Sequence, residues 1–260
     1  MKLVLCQSDP VWENKSANLE RYGRLVNDYC DRFGIPDIFV FPEFYTTGFT
    51  MNTDVAEGED GPSVSWLQKN AKEYKCAFVA SVPVKIGEYV YNRAYFVTQN
   101  GIIAKYDKRH LFTMAGETGH YTCGENQCVV EYAGWKIALS ICYDLRFPVW
   151  ARNVGKAYDL MINVANWPDV RINAAKALSM ARAIENVSFF AFCNRVGKDP
   201  VCEYNGNSQI IDSKGNNIGE IRLIDGIEFI YADLQLDQLI SFREKFPAWA
   251  DADSFKMNLN

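Results

Sequence analysis

Residues 135–150 read WKIALSICYDLRFPVW, and this stretch decides how the rest of the chain is understood. Trp135–Ile141 is apolar apart from Lys136 and Ser140, as expected of a buried strand bounded by turn signals. It runs into Cys142, a short polar turn and an expected helix over Phe147–Lys156. A thiol at the end of a strand is held at a sheet edge, where the first N–H groups of a following helix favour a thiolate. Position alone leaves a packed core cysteine equally open. A strand feeding a helix is one unit of a layered α/β protein, so the flanking sequence should repeat that alternation.

Upstream, Lys2–Gln7 reads as a strand, Asn14–Phe33 as an amphipathic helix, Ile38–Phe41 (IFVF) as a buried strand and Ser63–Tyr74 as a second helix. Between Cys76 and Tyr106 three strands follow closely, CAFVASVPV, YNRAYFVT and IIAKY. Turn signals at Ile86–Glu88 and Asn100-Gly101 split them, so antiparallel pairing is expected. Downstream, Leu160–Val164, Phe189–Asn194, Ser208–Ile211, Gly219–Ile224 and Glu228–Leu234 read as strands, and Asn173–Asn186 as an Ala-rich helix able to pack closely on a sheet. This order implies an α/β fold of mixed sheets covered by helices. No repeat, low-complexity tract or Pro/Ser-rich linker breaks the chain, and residues 1–260 are read as a single domain.

A chain of 260 residues with 48% hydrophobic content can build one large core. A net charge of −5 leaves no excess of lysine and arginine to attract a phosphate backbone, so nucleic acid is not an expected partner. The apolar stretch within Met1–Gln7 is too short for a signal-peptide core or a membrane span, which points to a cytoplasmic protein without a membrane partner. Eight scattered cysteines read as reduced thiols. His110 and His120 are the only histidines, and Cys123 and Cys128 lack a second pair at ligand spacing, so no metal is expected. Phosphate loops and dinucleotide-binding turns are missing as well, and no cofactor is implied.

Two further strand ends carry chemistry. Glu43 follows the apolar run IFVFP, a poorly solvated setting that would raise its pKa and suit it to shuttle protons. Lys108 lies in YDKRHLF, among aromatic and aliphatic neighbours. Taken singly, Glu43 reads as a loop cap or an arginine partner and Lys108 as a solvated strand end. A thiol paired with His110 is a competing arrangement, in which Lys108 would be dispensable.

Taken together, Phe41-Pro42-Glu43, Tyr106–Phe112 and Ile141–Pro148 resemble, in order and spacing, the glutamate, lysine and cysteine motifs of the nitrilase superfamily, the carbon–nitrogen hydrolases. The likeness spans nearly the whole chain. Asn166-Trp167-Pro168, Ala181–Asn186 (ARAIEN) and Arg243–Trp249 (REKFPAW) are similar to its bacterial ω-amidase branch. The resemblance implies a four-layer αββα sandwich, a homodimer, and a catalytic triad of Glu43, Lys108 and Cys142. Glu117 in MAGET matches a supporting glutamate, with Glu125 its nearby competitor, and His110 becomes a structural residue.

The implied activity is hydrolysis of a small-molecule amide, a short ω-amide of a dicarboxylic or 2-oxo dicarboxylic acid, through a thioester on Cys142. Glu43 would move the protons, and Lys108 with the Tyr143 backbone N–H would hold the oxyanion. Such a substrate carries a remote carboxylate that a guanidinium suits. Arg171, just after the expected pocket wall at Trp167, is the candidate, while Arg146 belongs to the cysteine motif and reads as structural. A nitrilase or N-carbamoyl amidase with the same triad is the alternative. A catalytically silent binding module would have no need of a thiol, a carboxyl and an ammonium together.

Overall fold

The computed structural model describes residues 1–257, so the last three residues of the expected 1–260 domain lie outside the described residues. The first half comprises β1 (Lys2–Gln7), α1 (Lys15–Phe33), β2 (Ile38–Val40), α2 (Pro62–Tyr74), β3 (Ala77–Ile86), β4 (Tyr89–Thr98) and β5 (Gly101–Asp107). Next come β6 (Cys128–Tyr132), β7 (Trp135–Ile141), β8 (Leu160–Val164), α3 (Ile172–Asn186) and β9 (Phe189–Cys193). The chain continues through β10 (Val196–Lys198), β11 (Glu203–Asn205), β12 (Gln209–Ile211), β13 (Glu220–Ile224), β14 (Ile227–Asp233) and α4 (Leu236–Lys245).

Side chains of a strand point alternately to its two faces, and that alternation builds the layers. Leu3, Leu5, Ile38, Val40, Ala77 and Val79 pack against Ile137, Leu139, Ile162 and Ala191, so their cluster lies between two sheets. Their neighbours in sequence, Val4, Cys6, Phe39 and Phe78, face the opposite way onto Tyr22, Val26, Val64 and Leu67 of α1 and α2. On the far side Ala138, Met161 and Phe190 meet Ala175 and Ala183 of α3. The result is the expected αββα sandwich, with a seven-stranded sheet ordered β13-β14-β1-β2-β3-β4-β5 and a five-stranded sheet ordered β12-β9-β8-β7-β6. Each sheet has a parallel centre, β1-β2-β3 in one and β7-β8-β9 in the other. The middle stretch β3-β4-β5 is antiparallel, as its turn signals indicate. No helix among the described residues is long and apolar enough to cross a membrane.

Element boundaries follow local chemistry. Asn14 is the cap of α1, not its first residue, since its side chain accepts the Ala17 N–H at 3.1 Å. The expected helix over Phe147–Lys156 does not form. A 3₁₀ turn spans Cys142–Arg146, and Phe147 leaves it extended (φ −110°, ψ 91°). Pro148 explains this, because a residue before proline is pushed out of the α region. A short 3₁₀ turn at Val154–Lys156 then contains Gly155 at φ 62°.

Candidate active site

Strands β2, β5 and β7 deliver the chemistry of the site beyond their ends. Beyond β2 the chain turns at Pro42, with Phe44 at φ 49°, and leaves Glu43 fully buried. Beyond β5, the Lys108 N–H donates to the Asn92 carbonyl at 2.9 Å, which extends the ladder by one rung and fixes the start of the lysine side chain. Cys142 ends β7 at φ 44°, a left-handed conformation unusual for a residue with a Cβ. Its strain is held by Asp144, whose carboxylate accepts the Ile141 N–H at 3.0 Å, the Tyr106 hydroxyl at 2.6 Å and the His110 N–H at 2.9 Å.

Lys108, Glu43 and Glu117 meet without solvent, all fully buried. The Lys108 Nζ lies 2.9 Å from Glu43 Oε1, 3.0 Å from Glu117 Oε1 and 2.9 Å from Glu117 Oε2. Glu117 Oε2 also accepts the Phe112 N–H at 2.5 Å, whereas Glu125 is exposed. The Asn166 backbone N–H donates to Glu43 Oε2 at 2.9 Å, and its side-chain amide donates to the Glu43 carbonyl at 2.6 Å. The Cys142 thiol sits 3.9 Å from the Asn166 carbonyl. One cation thus serves two buried carboxylates, an arrangement tolerable only with many hydrogen bonds.

Burial lowers the affinity of Lys108 for its proton, but Glu117 and Glu43 outweigh it and raise the pKa above the ordinary lysine value. Glu117 is raised by burial and by the charge of Glu43, against the pull of Lys108. Burial, with the charge of Glu43 second, drives the Cys142 thiol well above the usual cysteine range. The expectation of a thiolate favoured by a helix N-terminus is therefore corrected: the helix is absent, and the resting thiol keeps its proton. Its proton must leave as it reacts, and the site holds carboxylates that can receive it.

Cys142, Tyr143 and Lys108 open onto a cavity of about 460 Å³. Phe49, Phe112 and Trp167 line it. Arg171 lines this cavity with its guanidinium 5.1 Å from the Phe112 ring centre. Arg146, read from sequence as structural, lines it too, 5.0 Å from the Trp167 ring centre. Neither guanidinium forms an ion pair among the described residues, although both are half-buried. His110 faces elsewhere: its Nδ1 is 2.8 Å from Asp144, and its ring stacks on Phe147 at 3.7 Å. Among the described residues no group of three or more His, Cys, Asp or Glu is placed to hold a metal.

Sequence reasoning gave no site role to Asn92 or Asn166 and read Arg146 as structural. Asn92 sits in the middle of β4, fully buried, with its Nδ2 2.7 Å from Glu43 Oε1 and 3.3 Å from Glu117 Oε1. The only signal was an amide inside a strand, YNRAYFVT, whose other residues are apolar or aromatic apart from Arg93 and Thr98.

A cavity lined by a strained cysteine and an ammonium, with two carboxylates buried against that ammonium, is suited to covalent acyl chemistry. The carbon–nitrogen hydrolase profile matches residues 2–244, and the chain belongs to the carbon–nitrogen hydrolase family. It is 40% identical over 258 residues to the omega-amidase YafV of Escherichia coli (strain K12), covering 99% of this chain and 98% of that protein. It is 39% identical over 220 residues to the 2-oxoglutaramate amidase of Bacillus subtilis (strain 168), covering 83% of this chain and 84% of that one. Among solved structures, XC1258 from Xanthomonas campestris, a CN-hydrolase superfamily protein with an arsenic adduct in its active site, superposes with a TM-score of 0.92 at 36% identity, each chain covered to 99%. Saccharomyces cerevisiae Nit3, of the nitrilase superfamily, gives a TM-score of 0.85 at 25% identity over 95% of this chain and 94% of that one.

Proposed function

We propose that this chain hydrolyses short ω-amides of dicarboxylic or 2-oxo dicarboxylic acids, releasing ammonia through a thioester on Cys142. The observation that carries the reading is the pairing, in one cavity, of Cys142 and Lys108, the latter backed by the buried Glu43, with two guanidiniums that have no carboxylate partner of their own. An unpaired arginine in a half-buried wall awaits an anion, and a planar carboxylate fits it bidentately. Similarity to proteins named omega-amidase and 2-oxoglutaramate amidase supports the same class.

In this mechanism Glu43 takes the Cys142 proton as sulfur attacks the amide carbonyl. The tetrahedral oxyanion is held by the Lys108 ammonium and the Tyr143 N–H, which belongs to the first turn after the strand and has no partner within that turn. Glu43 then returns the proton to the departing nitrogen, since an amide cannot leave as its anion. Water, deprotonated by the same carboxylate, hydrolyses the thioester. Glu117 holds the ammonium in place. No cofactor takes part.

A homodimer in the cytoplasm is part of the proposal. The eight cysteines are free, which suits a reducing compartment. A face of α3 bearing Asn173, Ala177, Met180 and Ile184 is exposed and mostly apolar, which suits a second copy.

Ammonia release across ω-amides, uncharged amides, nitriles and carbamoyl amino acids tests the reading. Succinamate should be preferred, and Arg171→Met and Arg146→Met should each raise its KM with much less effect on an uncharged short amide. Equal responses to both substrates would remove the arginines as carboxylate anchors, and preference for nitriles or uncharged amides would overturn the ω-amide assignment.

A further inference from the structure

We infer that Asn92 is the positioning residue of this site, holding Glu43 and Glu117 on the Lys108 ammonium. The inference rests on the proposed role of Glu43. Three contacts carry it, each to a different member of the buried charge cluster. The Asn92 carbonyl accepts the Lys108 N–H at 2.9 Å, its Nδ2 reaches Glu43 Oε1 at 2.7 Å, and the same nitrogen reaches Glu117 Oε1 at 3.3 Å. Both carboxylate partners only accept when ionised, so the atom between them must be the NH₂ nitrogen. Asn92 Oδ1 is left buried without a partner, a cost that the charge-assisted bonds on the other atom offset.

An amide is the group this position requires. Its two N–H bonds diverge from one nitrogen and can serve two carboxylates, while adding no charge to a cluster that already holds one cation and two anions. A serine could donate to one carboxylate only, and an aspartate would add a third negative charge. Strand β4 sets the aim: Asn92 pairs with Pro83 of β3 on one side and precedes Arg93, which pairs with Asp107 of β5, on the other. Lys108 follows Asp107 directly, so the register that seats the ammonium also seats the amide. Glu43 is faced by Lys108 beyond β5, Glu117 in the turn after it, Cys142 beyond β7 and the Tyr121 phenol, and of these only Lys108 carries a positive charge. Asn92 adds a neutral donor to that side.

The test is the pH profile of kcat/KM for succinamate in Asn92→Ala and Asn92→Asp. Loss of a donor that favours an ionised carboxylate should move the acidic limb up by about one pH unit in the alanine variant and further in the aspartate variant. The value of kcat should fall at least about ten-fold while KM changes less than about two-fold, because no pocket wall is altered. Limb position does not depend on how much protein is folded. Should alanine not fold, Asn92→Ser keeps one donor and should give a smaller shift of the same sign. An unmoved limb with a merely lower rate would make Asn92 a packing residue and overturn the inference. Glu43→Gln separates the two claims: full activity there sinks the role of Glu43, whereas an inactive Glu43→Gln with unmoved Asn92 profiles sinks the role of Asn92 alone.

Discussion

Replacing Lys108 by methionine removes the only cation that pairs with Glu43 and Glu117 among the described residues, while keeping a side chain of similar length. In the native protein its Nζ makes three contacts of 2.9–3.0 Å to these carboxylates, at a site without solvent. Two losses follow. A fixed donor aimed at a developing oxyanion contributes about 3 kcal/mol, so kcat should fall by at least about two orders of magnitude. Breaking a buried ion pair by removing one partner costs about 3–5 kcal/mol, unless the orphaned carboxylates take up protons. Without the ammonium, two adjacent carboxylates are left buried and uncompensated, so the folded variant takes up a proton that the unfolded chain releases above about pH 4.3. A raised folded pKa gives stability that is present below the unfolded value and lost as pH climbs through the folded one. The melting temperature of Lys108→Met should therefore lie close to wild type near about pH 4 and fall progressively below it toward about pH 8. Ammonia release and thermal denaturation across that range check both parts. A wild-type rate, or a melting deficit that does not change with pH, would refute the reasoning.

Other substitutions separate the charged groups. Glu43→Gln should lose acylation by at least about two orders of magnitude, because an amide neither accepts the thiol proton nor donates one to the leaving nitrogen; rapid-quench detection of acyl-enzyme measures this. Glu117→Gln should reduce the rate less than Glu43→Gln. Since burial raises the Glu117 pKa, its ionisation costs wild-type stability as pH rises through the folded value, and the glutamine variant should lose that part of the slope in a melting-temperature series. A proton still on Cys142 at neutral pH predicts no thiolate absorbance difference between wild type and Cys142→Ala in ultraviolet spectra.

Much of the fold was legible because strand periodicity and burial agree. IFVF alternates between the inter-sheet core, through Ile38 and Val40, and the helix layer, through Phe39 and Phe41, and neither face is polar. Strand ends moved by a residue or two, as fraying ends do. Helix α4 was not assigned, since only Leu239 and Arg243 of its ten residues are buried and its apolar pattern is correspondingly weak. Strand β6 was hidden beside a pair of cysteines; a tight turn at Ala133 (φ 51°) and Gly134 (φ 80°) joins it to β7. The false helix after Cys142 came from weighting apolar spacing above Pro148.

The candidate site was legible where a charged or thiol group ends an apolar strand, hence Glu43, Lys108 and Cys142. Glu117 emerged only through family resemblance, since nothing in MAGET by itself signals burial. Asn92 stayed hidden because a strand-interior amide reads the same whether it satisfies a core or braces a catalytic carboxylate; only the two carboxylates meeting it in space make the difference. Arg146 was set aside because its place in the cysteine motif suggested scaffolding, but the 3₁₀ turn over Cys142–Arg146 leaves it on the wall of the cavity.

The central claim is a covalent acyl-enzyme on Cys142, and peptide mass spectrometry of enzyme quenched during turnover of a slow ω-amide tests it most directly. The account predicts an acyl mass on the peptide carrying Cys142, and in Cys142→Ala, which should stay folded because the swap removes only a sulfur, neither adduct nor ammonia. An adduct on any of the other seven cysteines, or turnover persisting in Cys142→Ala, would contradict it.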